Sequence, residues 1–335
     1  MHIPASRLLS LLLLPPVLGG VLTWSALSAR AADGAAQVPA ALLTPARTAG
    51  EAPPMEGLPF YRPELAGRYG ACQAAHPDWT AARAVLWVNM ELDHPFYTGT
   101  DTVEQPDSLT ALVNKYHLLP ADYAPQVESV GAGYGSGSLR PQAAAAFRAM
   151  ADAARADGIS LRSVSAYRSY ARQESTYNRW LSQDSQASVD TYSARPGASE
   201  HQTGLALDIN VASLKAHFED TPAYAWLAEH CAEYGFILRY PQGKEHITGY
   251  QFEPWHYRYV GVEVAQVCMD RGLTLEEYFA LRPAQEEEPE AAPETSAPET
   301  SAPEAADPEP AQTESAAPAQ PVAPDPQPDP DLPMI

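Results

Sequence analysis

The sequence predicts an α+β fold, a small and mostly antiparallel sheet flanked by helices. Three observations lead there. Segments with helical spacing alternate with short strand-like segments, without a regular βαβ repeat. The helical segments are bounded by start and stop residues of the expected types. No Gly-rich phosphate loop and no GxSxG elbow is present, so neither motif class organises the chain.

Arg7 precedes an uncharged stretch from Leu8 to Ala29, followed by small residues at Ala29-Arg30-Ala31. A positive start, an apolar run and an A-x-A pattern read as a secretory signal over residues 1–31. An uncleaved membrane anchor is the alternative, because the run is long enough to span; Pro15, Pro16, Gly19 and Gly20 weaken such a helix. Either reading places the rest of the chain outside the cytoplasm, extracellular or in the cell envelope. Residues 32–59, rich in Ala and Pro, read as a disordered linker, and residues 60–109, with Tyr69, Trp79, Trp87 and Tyr97, as an N-terminal subdomain.

Residues 110–282 carry the main domain. Leu112–Tyr116 reads as a short strand. Pro141 suits a first helical turn, Ala145, Phe147, Met150 and Ala154 follow at helical spacing, and Gly158 stops them. Leu161–Ala166 alternates like a strand, Tyr170–Leu181 is helical, and residues 182–200 read as a loop. Leu205–Val211 is a second strand of that sheet. Thr221-Pro222 caps a helix over Ala223–Tyr234 that Gly235 ends. Phe236–Tyr240 and Trp255–Tyr259 complete the strands, and Val262–Asp270 is a closing helix.

Composition divides the chain in two. Its net charge is −21, but residues 283–335 contain 13 acidic residues and no Lys or Arg, which leaves −8 for residues 1–282. That tail also holds 14 of the 33 prolines and repeats PETSA. Such a segment is expected to stay extended and solvated, as a spacer. The acidic balance excludes a nucleic-acid partner, which needs a basic footprint. The three cysteines allow one disulfide, and Cys231 with Cys268 is the preferred pair. No cysteine spacing suits a metal. The chain is expected to be a monomer.

The chemistry concentrates in two segments. Pro196-Gly197 leads into Ser199-Glu-His201-Gln-Thr-Gly204-Leu-Ala206-Leu-Asp208, and Glu253-Pro-Trp255-His256 follows about fifty residues later. Two His and one Asp are ligand types that zinc accepts, and a catalytic zinc keeps its fourth position open. Glu253, three residues before His256, is placed to act as a general base.

Ser199-x-His201-x-x-Gly204-x-Ala206-x-Asp208 with Glu253-x-Trp255-His256 resembles the signature of the VanY-type D-alanyl-D-alanine carboxypeptidases. Their relatives include D-Ala-D-Ala dipeptidases and LdcB/DacB-type L,D-carboxypeptidases. Ser165–Gln173 is similar to a further segment of that family, with Ala166 in place of the usual Gly. The resemblance spans roughly residues 110–272. It implies one Zn2+ ion held by His201, Asp208 and His256 in a cleft on the sheet, with Glu253 as catalytic base. Arg168 and Gln173 would lie in the substrate cleft, Arg168 beside the scissile carbonyl or the terminal carboxylate, and Ser199, Tyr240 and Trp255 would form its walls. The implied activity is zinc-dependent D,D-carboxypeptidase action on peptidoglycan stem peptides. L,D-carboxypeptidase and dipeptidase activities use the same site, and a non-catalytic peptidoglycan-binding module is the rival from another class.

Overall fold

The computed structural model describes residues 54–211 and 217–283. The signal segment, nearly all of the linker and the acidic tail beyond Pro283 lie outside the described residues. The described part of the expected linker is structured: Met55–Gly57 forms a 3-10 turn, and Leu58 is buried, as is Phe60 just after it. Two helices that the sequence reading did not assign follow, α1 (Ala66–Ala75) and α2 (Ala81–Asn89). The Thr80 hydroxyl caps α2 by accepting the Arg83 amide.

β1 (Asp101–Thr102) pairs in parallel with β2 (His117–Leu118). The strand expected at Leu112–Tyr116 is not there. The Asn114 side chain accepts the amides of Tyr116 and His117, so the chain turns where a strand would run on. β3 (Glu128–Ser129) and β4 (Ser138–Leu139) form a short antiparallel pair that leads into α3 (Pro141–Ala156). Its buried face is Ala143, Ala144, Phe147, Met150, Ala151 and Ala154, while Ala145 is exposed.

The main sheet is built from β5 (Arg162–Ser165), β6 (Ala206–Asn210), β7 (Phe236–Leu238) and β8 (His256–Tyr259), in the spatial order β5-β6-β8-β7 and antiparallel throughout. Between β5 and β6 lie α4 (Tyr170–Leu181), the helix expected there, and a one-turn α5 (Gln186–Val189) inside the segment 182–200 that the sequence presents as loop. α6 (Pro222–His230) passes into a 3-10 turn over Cys231–Tyr234 and ends at Gly235. α7 (Glu245–Thr248) precedes β8, α8 (Val262–Arg271) follows it, and α9 (Leu275–Ala280) is an additional helix closed by a Thr274/Glu277 capping box.

Strand periodicity gives the sheet two different faces. Leu207, Ile209 and Tyr257 point into the core with Phe147 and Met150 of α3 and Leu227 of α6. Ala206, Asp208 and His256 alternate with them and therefore face the opposite side. A second apolar cluster joins Ile237 and Val260 to Ala265, Cys268 and Leu275. Cys231 and Cys268 are thus in separate clusters, and the expected disulfide is not formed: all three cysteines are buried free thiols. The N-terminal helices dock on α9, where Asn89 Nδ2 donates to the Ala280 carbonyl at 3.1 Å and Arg62 Nη2 to that of Phe279 at 3.2 Å. No helix among the described residues is long and apolar enough to cross a membrane.

Candidate metal and active site

Sheet register brings the ligand candidates together. Asp208 of β6 lies directly across from His256 of β8. Directly opposed residues of an antiparallel pair have neighbouring side chains, and Asp208 Oδ1 is 3.2 Å from His256 Nδ1. His201 arrives from the 3-10 turn Glu200–Thr203, which Gly204 ends with φ +67°. The positive φ favours glycine there, and a Cβ would meet Arg140, Val127 and Pro125 side-chain atoms at a tight 3.1–3.3 Å. His201 Nε2 ends 3.5 Å from Asp208 Oδ2.

His201, Asp208 and His256 each offer one ligand atom, all within 4.8 Å of one another. His201 Nδ1 donates to the Ala166 carbonyl at 2.7 Å, which leaves Nε2 with its lone pair facing Asp208. Burial and the Arg168 charge lower the His201 pKa, against the pull of Asp208. Asp208 is held well below the usual carboxylate range; burial opposes that, and the histidines outweigh it. Burial also works to lower the His256 pKa, but Asp208 and Glu200 carry it to about 9. Carboxylates converge here on imidazole nitrogens, which is what a divalent cation requires of a His2Asp donor set. The residues present fit zinc.

Glu253 sits on the turn before β8. Its amide donates to the Tyr240 carbonyl at 3.1 Å, and Oε2 lies 3.8 Å from His256 Nδ1, on the ligand side of the ring. Burial is the main cause that raises its pKa to about 7, against the opposing His256 charge. A carboxyl group poised there can take up and release a proton near neutral pH. In the same cavity, Arg168 Nη1 donates to Gln173 Oε1 at 2.8 Å and Nη2 to Ser165 Oγ at 3.0 Å. Gln173 Nε2 is itself anchored on the Ala194 carbonyl at 2.7 Å. Burial lowers the Arg168 pKa, with Asp208 opposing, but a guanidinium stays charged in either case.

All nine site residues singled out in the sequence line one cavity of about 320 Å³: Arg168, Gln173, Ser199, His201, Asp208, Tyr240, Glu253, Trp255 and His256. The same cavity has walls that the sequence reading did not find, among them Thr176 and Trp180 of α4, Tyr192, Tyr250 and Gln251. Glu200 was also missed. Its signal was indirect: Arg239 and Arg258 are charged residues within segments that read as strands, and both are buried and bind it, at 2.7 and 2.8 Å.

The family model for VanY D-alanyl-D-alanine carboxypeptidases matches residues 136–262. YodJ of Bacillus subtilis (strain 168) is 41% identical over 196 residues, covering 54% of this chain and 70% of its own. A D-alanyl-D-alanine carboxypeptidase of Enterococcus faecalis is 38% identical over 206 residues, covering 54% and 75%. The solved structure of the LdcB LD-carboxypeptidase, described for its recognition of peptidoglycan, is 41% identical with a TM-score of 0.52, over 55% of this chain and 92% of that one. Sequence, fold and the convergence of the ligand candidates agree, and the chain belongs to the VanY D-alanyl-D-alanine carboxypeptidase family of peptide hydrolases.

Proposed function

We propose that this protein is a zinc-dependent D,D-carboxypeptidase that removes the terminal D-alanine from peptidoglycan stem peptides outside the cytoplasm. The observation that carries this reading is a single cavity lined by the His2Asp group, a near-neutral carboxyl group and an anchored guanidinium. His201, Asp208 and His256 would hold one Zn2+, whose contribution when bound is Lewis acidity toward the carbonyl and the attacking water. Arg168 binds the terminal carboxylate of the peptide, with Gln173 and Ser165 keeping its fork in plane. Glu253 takes a proton from the attacking water and passes it to the departing amine of D-alanine, so the peptide bond gains the elements of one water. Ser199, Tyr240 and Trp255 wall the peptide, and the buried base and guanidinium act where water is largely displaced.

Glu253→Gln is expected to lower kcat by about 10²–10⁴-fold, the usual contribution of general acid–base catalysis, while one zinc per chain is retained by metal analysis. Turnover that survives the substitution with zinc in place would remove Glu253 from the mechanism. Chelation should abolish activity and Zn2+ restore it. The likeness to LdcB favours a second reading, L,D-carboxypeptidase activity. Defined penta- and tetrapeptides with products identified by mass separate the two: D-alanine released only from the pentapeptide supports D,D activity, and release only from the tetrapeptide replaces it with L,D.

A further inference from the structure

We infer that Glu200 is the positioning residue for His256, and that a buried charge cluster reaching outside the family-matched segment holds it in place. The inference rests on the zinc reading above. His256 Nδ1 faces Asp208 and Glu253, so it is the nitrogen available to a metal. Its other nitrogen, Nε2, is buried with no hydrogen-bond partner, and so is Glu200 Oε2. The two atoms face each other at 3.5 Å. A small rotation of the imidazole turns this into an Nε2–H donation to the carboxylate, which fixes the tautomer with the Nδ1 lone pair toward the metal. His201 is fixed in the opposite tautomer by the Ala166 carbonyl, so each histidine has its own outer partner.

The rest of Glu200 explains how it stays there. Its side chain is fully buried, and Oε1 accepts from Arg239 Nε at 2.7 Å and Arg258 Nη1 at 2.8 Å. Oε2 is thereby left for His256. Arg239 spends its remaining nitrogens on a two-pronged contact with Glu276 of α9, at 2.7 and 2.9 Å. Arg258 Nη2 donates to the carbonyls of Leu109 and Ala111. The family match covers residues 136–262, so Leu109 and Ala111 lie before it and Glu276 after it. Two carboxylates and two guanidinia buried together are an inefficient way to stabilise a core, since apolar replacements of similar volume often do as well or better. Their chemical use here is to present one carboxylate oxygen to His256 at a fixed place. On this basis α9 and the segment around residue 110 are structural parts of the metal site.

The test uses the full chain and zinc itself. Zinc affinity is measured by competition with a chromogenic chelator, the visible spectrum of the Co2+-loaded protein reports ligand geometry, and circular dichroism of the metal-free protein reports folding. Glu200→Gln is expected to weaken zinc binding by about 10–100-fold, as loss of an outer partner of a ligand histidine does, and to alter the Co2+ spectrum. Glu276→Gln, which leaves every group touching His256 in place, is expected to shift both in the same direction by a smaller factor; it decides the question if Glu200→Gln does not fold. Folded variants with wild-type zinc affinity and an unchanged Co2+ spectrum overturn the inference. So does a loss of thermal stability alone. A wild-type chain that fails to bind one equivalent of zinc would instead overturn the zinc reading beneath it.

Discussion

Arg168 is held on two sides before any substrate arrives, by Gln173 and by Ser165. Such a fork binds a carboxylate through two parallel donors, whereas an ammonium at the same place is a point charge on a flexible stem. Arg168→Lys is therefore expected to lower kcat/KM by about 10²-fold, the size of one lost charge-assisted interaction, with the thermal midpoint nearly unchanged. Steady-state kinetics on a soluble pentapeptide checks it, and wild-type kcat/KM would show that Arg168 does not hold the carboxylate. Residues of this kind were legible in the sequence because the chemistry restricts their types and spacing: His201, Asp208, Glu253 and His256 stand in two short motifs. Glu200 stands inside the first motif and was still invisible, because its partners Arg239 and Arg258 lie far along the chain. Ala166, in place of the family's usual Gly, is accommodated by its neighbour. A Cβ at Gly137 would come within 2.8 Å of the Ala166 methyl, so the space taken at one position is left free at the other.

Among the elements, α3, α4, α6, α8 and the strands of the main sheet were readable, and α1, α2, α5, α7 and α9 were not. α3 and the strands β5, β6, β7 and β8 were anticipated within a residue or two. α1 contains Gly67 and Gly70, which lower its intrinsic propensity; burial of Tyr69 and Cys72 favours it in the fold. α9 has only six residues, too few to be stable alone, and depends on its capping box and on Leu275 and Ala280 in the core. The stretch misread as a strand, Leu112–Tyr116, has a different use. Lys115 Nζ donates to the carbonyls of Asp190 and Gly249 and lies 4.3 Å from the Tyr250 ring. It ties the segment after α5 to the one after α7, next to Tyr250 and Gln251 of the cleft wall. Lys115→Met keeps the length and leaves both carbonyls without their donor, which should cost about 2–6 kcal/mol by urea unfolding, at 1–3 kcal/mol for each unsatisfied group. Burial pushes the Lys115 pKa down to about 8 from 10.5. Between those values the unfolded chain binds more protons at this site than the folded one, so wild-type stability gains with rising pH relative to the variant. The deficit of Lys115→Met should widen from pH 8 toward pH 10; a constant deficit would mean that the amine does not titrate in that window.

The whole molecule combines a sheet whose polar face carries the site with flanking segments that close around it from both sides. Asn89 and Arg62 reach α9, Glu276 of α9 reaches Arg239, and Arg258 reaches the chain at Leu109 and Ala111. Every group assigned to binding or chemistry thus lies between residues 109 and 276. The net charge of −21 has a different distribution: 13 of the negative charges are in residues 283–335, and residues 1–282 carry −8. Removing residues 284–335 should therefore leave kcat/KM on a soluble pentapeptide within about twofold, because screening confines exposed charges to a reach of about 8–10 Å at physiological salt. Thermal stability should be equally unaffected. On intact cell walls the expectation differs, since an acidic segment is repelled by anionic wall polymers. There the shortened chain should release D-alanine faster than the full chain at low ionic strength, and the difference should disappear as salt is raised. Loss of turnover on the soluble peptide after the deletion would show that residues 284–335 take part in the site. An unchanged rate on walls at low salt would show that their charge does not govern access to the substrate.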